Sequence, residues 1–388
     1  MGGMSEPLHL YVHIPFCLKK CRYCSFVSRS DAPLAIDDYA SLVAREMEMR
    51  VAAANPPPLS PATTLYLGGG TPSLLSPAAV ERIIGAAARC YGLGPGAEIT
   101  LEANPGTVTF QRLADFRSAG VNRLSLGVQS FDDGMLALLG RLHTARQARE
   151  AVAAARRAGF DNIGIDLIHS LPGQTPDQWR EQLACAVALT PDHVSAYGLT
   201  VEEGTPFGVM EERGVLVLPD EEGSALMFEA TAAVLVSAGF EHYEIANFAR
   251  PLRRSRHNQA YWLRRNYLGF GAGAHSFLRV PAFGVRWKNP DDLELYHDTL
   301  AAAELPGEAE SALSRADAMA EYFFLGLRLL DGVREEDFAR EFGDTVKNVY
   351  GCEVDRLCSA ELLVRGGGRL KLTPRGTILA NRVFASFL

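Results

Sequence analysis

A membrane-spanning helix needs roughly 18 or more consecutive apolar residues, and no stretch of this 388-residue sequence comes near that. The amino terminus, MGGMSEPLHL, lacks the basic and apolar regions of a secretory signal. Position 6 is Glu6, not the Ser or Thr that favours myristoylation of Gly2. A cytoplasmic protein is the expectation. A basic excess is also missing. There are 38 Lys and Arg against 46 Asp and Glu, a net charge of −8, which argues against a nucleic-acid partner. There is no low-complexity tract and no internal repeat beyond a strand–helix period. Cysteine is scarce: seven residues, an odd number, unevenly placed. A disulfide framework is therefore not expected, and a metal or cluster site is the first alternative.

What is present suffices for a core, since 47% of residues are hydrophobic and 22% charged. At roughly 150 residues per domain the length fits two domains, or one large α/β barrel with an appendage. Short β-branched runs at 8–14, 63–68, 98–104, 121–128, 161–168 and 192–199 alternate with alanine- and leucine-rich helical stretches. Six strand–helix units in series predict a parallel sheet with right-handed crossovers. In such sheets ligands lie at the carboxyl ends of the strands, so the loops after residues 14, 68, 104, 128, 168 and 199 are the ones to search. The pattern weakens after about residue 245. AAAELPGEAES (301–311) reads as a linker, and the remainder reads as helices with a hairpin, LLVRGGGRLKLTPRG.

Cys17, Cys21 and Cys24 fall within eight residues, straight after the first predicted strand. Structural zinc normally takes four ligands in paired Cys-x2-4-Cys units, and no second pair exists here. His13 would have to be the fourth ligand from inside a strand. Close-set thiolates suit an iron–sulfur cluster better. Three protein thiolates on a cubane leave one iron open to an exchangeable ligand.

YVHIPFCLKKCRYCSF, with an aromatic before the third cysteine, resembles the radical S-adenosylmethionine (SAM) family. That resemblance implies a [4Fe–4S] cluster on Cys17, Cys21 and Cys24, with SAM chelating the open iron. It also implies a fold: a partial (β/α)6, TIM-like radical SAM barrel over residues 1–300, with a haem-motif extension at about 245–300. A small, mainly helical, winged-helix-like domain over 301–388 would follow. The closer resemblance, over nearly the whole chain, is to the branch containing oxygen-independent coproporphyrinogen III oxidase. Carried over by motif, Gly69, Gly70, Thr71, Glu102, Gln129, Arg141 and Asp166 would line the SAM region, with Tyr23 near the adenine. Tyr11 would lie against the sulfonium, a contact that cation–π attraction favours. Ser170 departs from the glycine usual in this branch, and a small local change is expected there.

Two features separate the oxidase from its haem-chaperone relatives. Phe26 stands where the oxidase has a fourth cysteine, and only 16 residues precede Cys17. His257-Asn258-Gln259-Ala260-Tyr261-Trp262 matches the chaperones' HNxxYW motif. The resemblance thus implies haem as cargo, bound through His257, Asn258, Tyr261 and Trp262. It further implies acceptor haemoproteins of the respiratory, membrane-associated kind and a haem-linked homodimer. Two enzymatic readings stay open: decarboxylation of coproporphyrinogen III by a 5′-deoxyadenosyl radical, and radical chemistry on a substrate that is not a tetrapyrrole. Physically, a neutral imidazole is a common axial ligand to haem iron. Tyr261 would share its face if the segment is helical. Arginines 250, 253, 254, 256, 264 and 265 offer partners for two propionates. The plainer readings are a core aromatic cluster and a solvated basic surface. Cys90, Cys185, Cys352 and Cys358 have no assigned role.

Overall fold

The six expected strands form, in chain order, side by side and parallel, in the computed structural model, which describes residues 6–31, 36–54, 60–281, 283–307 and 311–388. They are β1 (Leu8–Ile14), β2 (Ala62–Gly69), β3 (Glu98–Ala103), β4 (Arg123–Gln129), β5 (Ile163–His169) and β6 (His193–Gly198). One face of each strand is aliphatic. Leu10, Val12, Ile14, Leu65, Leu67, Leu101, Leu124 and Leu126 are all buried against helices that supply Val43, Met47, Val80 and Ile83. Those helices start at good caps. Ser76, Thr109, Thr144 and Thr175 each accept a backbone N–H from the first turn, removing unsatisfied donors.

The other face of the strands is polar. His9, Tyr11 and His13 alternate along β1, Thr64, Tyr66 and Gly68 along β2, Glu98, Thr100 and Glu102 along β3, and Arg123, Ser125 and Gly127 along β4. A closed barrel normally fills its interior with branched aliphatic side chains. A polar inner face instead marks a barrel built to be occupied.

Residues after 240 complete both edges of this sheet. β7 (Glu241–Glu244) and β8 (Asn247–Ala249) join antiparallel beyond β6. β9 (Tyr267–Phe270) lies parallel to β1 on the opposite edge, followed by antiparallel β10 (His275–Leu278), β11 (Val285–Lys288) and β12 (Ser311–Ala312). The result is one twelve-stranded sheet. The segment expected as a haem-motif extension is thus largely sheet edge. β12 comes from the stretch read as a linker, whose residues 308–310 lie outside the described ones.

A second core gathers Phe323, Phe338, Phe342, Leu357, Leu370, Val383 and Phe387. It is built on a small sheet of β13 (Val333–Arg334), β14 (Leu363–Gly366) and β15 (Arg369–Leu372), with helices Glu335–Phe342 and Val346–Ser359 beside it. The two cores are pinned by Arg264, 3% exposed, which bonds the carboxylates of Glu321 and Glu341. Among the described residues no helix is long and apolar enough to cross a membrane.

Candidate functional site

The cysteine loop leaves β1 and is held from several directions. His13 Nε2 donates to the Val27 carbonyl (2.7 Å), which leaves Nδ1 to accept the Tyr11 hydroxyl (2.9 Å). Backbone bonds tie Cys17 to Arg29 and Arg22 to Leu139 and Phe207. Thr71 Oγ1 donates to Cys17 Sγ and Arg141 Nη1 to Cys21 Sγ, each at 3.5 Å. Among the described residues no three His, Cys, Asp or Glu side chains converge on one point as a mononuclear ion requires. Cys17, Cys21 and Cys24 lie along this one loop.

Behind the loop a cavity of about 430 Å3 runs into the barrel. Its walls carry Cys17, Cys21, Cys24, Tyr23, Gly69, Gly70, Thr71, Glu102, Gln129, Arg141, Asp166 and Asn258. Eleven of the twelve residues expected at the cluster and SAM are therefore brought together, and Asn258, expected at the haem, joins them. Tyr11, His257, Tyr261 and Trp262 lie off this cavity.

Tyr66 fills the wall expected of Tyr11. It stacks on Tyr11 (ring centroids 6.2 Å) and donates its hydroxyl to Glu102 Oε1 (2.8 Å). Glu102 Oε2 accepts the Gly69 N–H at 3.1 Å. Burial pushes the Glu102 carboxyl up to about 7, against the opposing pull of these hydrogen bonds. Asp166 accepts the Ser125 hydroxyl and is likewise raised by burial. Two carboxyl groups, on β3 and on β5, give the cavity acceptors for ligand hydroxyl and amino groups.

The glycine run has a packing cause. At Gly69, where φ is +107°, a Cβ would stand 2.6 Å from the His13 ring; at Gly70 it would meet the Phe16 carbonyl oxygen at 2.7 Å. Both N–H groups are taken inside the protein, by Glu102 and by the Ile14 carbonyl. What this turn has left to offer a ligand is carbonyl oxygen, which matches an ammonium and not a carboxylate.

Arg141 bridges Cys21 Sγ to the Gly127 carbonyl (2.6 Å). Sequence reasoning missed Tyr66 and Arg123. Arg123 lies 1% exposed on the cavity wall, with its Nε unpartnered, as are His193 Nδ1 and Arg141 Nε. Its signal was a lone cation inside the apolar run VNRLSLGV. These unmet polar atoms fit a cavity designed to receive a polar cofactor.

The HNxxYW segment is helical, Arg256–Trp262, and sits at the foot of the barrel. Glu98, at the start of β3, accepts the N–H groups of both Arg256 and His257 (3.1 and 3.0 Å). His257 is buried. Its Nδ1 bonds Thr64 Oγ1 (2.7 Å) and its Nε2 the Tyr261 hydroxyl (2.8 Å), and its ring stacks on Tyr66 (centroids 5.0 Å). Burial holds it well below the usual histidine range, hence neutral. In this arrangement the imidazole turns no nitrogen toward a cavity. Trp262 packs elsewhere, beside Tyr243 and Leu329 with Arg328 over its ring (4.4 Å).

The expected propionate partners are all engaged inside the protein. Arg250 bonds the Ala238 carbonyl, Arg253 Asp161, Arg254 Glu241 and Asp331, Arg256 Gly96, Arg264 Glu321 and Glu341, and Arg265 Glu6. The run is structural, because each strand edge it decorates brings a carboxylate or carbonyl within reach. Cys90 and Cys185 pack at the barrel core.

The sequence profile of the radical SAM superfamily matches residues 11–184, and that of the HemN C-terminal domain matches residues 313–379. The chain is similar to the heme chaperone HemW of Lactococcus lactis, 36% identical over 99% of this chain and 98% of that protein. It is 41% identical to the mitochondrial radical S-adenosyl methionine domain-containing protein 1 of Bos taurus, over 99% of this chain and 88% of that one. Among solved structures, coproporphyrinogen III oxidase (HemN) from Escherichia coli superposes with a TM-score of 0.83 at 24% identity, covering 99% and 90% of the two chains. That likeness is one of fold.

Proposed function

The chain belongs to the radical SAM superfamily and is HemW-like along its length, and on that footing we propose that it is a haem chaperone, binding haem and passing it to acceptor haemoproteins. The observation that carries this reading is the near end-to-end match to proteins named heme chaperones. Phe26 supports it from within the loop, at the position where the oxidase branch carries a further cysteine.

Cys17, Cys21 and Cys24 would hold a [4Fe–4S] cluster whose open iron takes SAM, and that pair supplies one-electron chemistry at the cavity mouth when bound. The chain's own residues define the rest. Thr71 and Arg141 donate hydrogen bonds to two of the sulfurs and so fix where they point. Glu102 and Asp166 present acceptors to ribose and amino groups, and the Gly69–Gly70 carbonyls present acceptors to an ammonium. Arg123 offers a buried cation deeper in the barrel.

Anaerobic titration of haem into the cluster-reconstituted protein tests the reading: uptake should move the Soret band, and a haemoprotein acceptor should then remove the haem. Incubation with coproporphyrinogen III, SAM and reductant should give no protoporphyrinogen. Its appearance would overturn the chaperone assignment.

A further inference from the structure

We propose that the floor of the barrel cavity is a carboxylate site, where Arg123 and His193 hold the carboxylate of a small organic acid distinct from SAM. The cavity runs the length of the barrel, from the three cysteines at its mouth to Asn258 on the helix that closes its foot. Arg123 opens β4, four residues before Gly127, so its Cα lies about 13 Å further down the strand. Gly127 marks the level of the cysteine loop, since its carbonyl accepts Arg141, which bonds Cys21. With the SAM carboxylate on the open iron at that level, the floor is left to another molecule.

Two unmet donors face this floor. Arg123 is 1% exposed and its Nε has no partner. The carboxylates that feel its charge, Glu98 and Asp166, are engaged by other donors: Glu98 by the N–H groups of Arg256 and His257, Asp166 by the Ser125 hydroxyl. His193, on β6, is equally buried. Its Nε2 bonds the Tyr243 hydroxyl (2.8 Å), and that oxygen also accepts the Ser255 N–H (3.3 Å). The Tyr243 proton therefore points to Nε2. Burial keeps the imidazole neutral, so its own proton sits on Nδ1, which has no partner.

The sheet register explains why these groups meet. Tyr66, Thr100 and Arg123 form one row across β2, β3 and β4, and Ser125, Gly164 and His193 form the next across β4, β5 and β6. Because the middle of that second row is glycine, no side chain separates Ser125 Oγ from His193 Nδ1; a Cβ on Gly164 would touch both, at 3.6 Å each. Buried donors left unmet are costly. Two of them, one a permanent cation, match an acceptor that carries negative charge, and a carboxylate suits the guanidinium fork. Glu98 and Asp166 close by disfavour a dianion such as phosphate, which leaves a singly charged carboxylate as the better fit.

Carboxyl-labelled propionate, titrated anaerobically into the cluster-reconstituted, SAM-saturated full-length chain and followed by carbon NMR, tests the site. SAM is present to hold the open iron. The wild type should shift and broaden the carboxylate resonance, and propionamide, neutral and of the same shape, should bind at least about tenfold more weakly. Arg123→Gln should weaken propionate at least about tenfold, and His193→Phe about fivefold. Guanidinium ion added to Arg123→Ala should restore part of the affinity, a rescue that a merely structural role would not produce. If a variant fails to load the cluster, the comparison of propionate with propionamide on the wild type decides alone. Propionate that binds no better than propionamide overturns the site, and so does an affinity unchanged in Arg123→Gln. Displacement of SAM by propionate overturns it too, because the acid then sits at the mouth. A chain that takes up no haem overturns the chaperone reading and leaves this site standing, so the two fail separately.

Discussion

A carboxyl group poised near neutrality is a titration probe, and Glu102 is one, raised to about 7 by burial. An acid with a raised folded-state pKa contributes stability that is fully present below its ordinary value near 4.5 and is lost as pH rises through about 7. In the cofactor-free protein, Glu102→Gln should therefore gain on the wild type between pH 4.5 and 8, by about 3 kcal/mol. Melting temperatures across that range decide it, since a flat difference would mean a solvated carboxylate. Ser170 has φ of +58°, and its hydroxyl bonds His169 Nδ1 at 2.9 Å. Glycine there would relieve left-handed strain but lose that bond and loosen the unfolded chain, so Ser170→Gly should stay within about 1 kcal/mol of wild type. Ser170→Val keeps the strain, adds β-branching and leaves His169 unpaired, and should cost about 2–3 kcal/mol in urea unfolding. The cysteines and most cavity residues were legible because local spacing and strand ends fix them. Arg141 and Tyr11 were harder: their surroundings come from β4, β2 and the loop at once, which no local pattern encodes.

The seven-residue helix Arg256–Trp262 is too short to persist by its own propensity. Glu98 and Ser255 hold its first turn. Glu98→Ala removes the acceptor of two backbone donors in a site 6% exposed, and should cost about 2–4 kcal/mol. Denaturant unfolding measures that cost; a loss under about 0.5 kcal/mol would mean that the helix is seated by packing alone. The six parallel strands and their helices were readable from apolar runs punctuated by caps. The polar period-two face lay in the same letters, as in Glu98, Thr100, Glu102, but alternation inside so apolar a chain is easily passed over. Strands β7 to β12 were not readable, being two to four residues long, and they join the main sheet through β8 on β6 and β9 on β1, segments far away in sequence.

At the scale of the molecule, Arg264 is where the barrel meets the second core, and Arg279 and Arg286 share its acidic partners Glu341 and Glu321. Arg264→Ala leaves carboxylates unpaired in a buried place and should cost about 3–5 kcal/mol. Calorimetry should show the single transition splitting in two, and Glu321→Gln with Glu341→Gln should restore part of the loss. The composition break at 301–311 pointed to the junction, but the ion pairs that close it join residues from four separated segments. Another closure carries a consequence in time. His257 seals the barrel foot by bonding Thr64, 193 residues earlier in the chain. At ~5–20 residues per second of synthesis, the two partners leave the ribosome about 10–40 s apart. From the emergence of β6, which ends at Gly198, until that of His257, the nascent chain displays its cysteine loop over a barrel that has no floor.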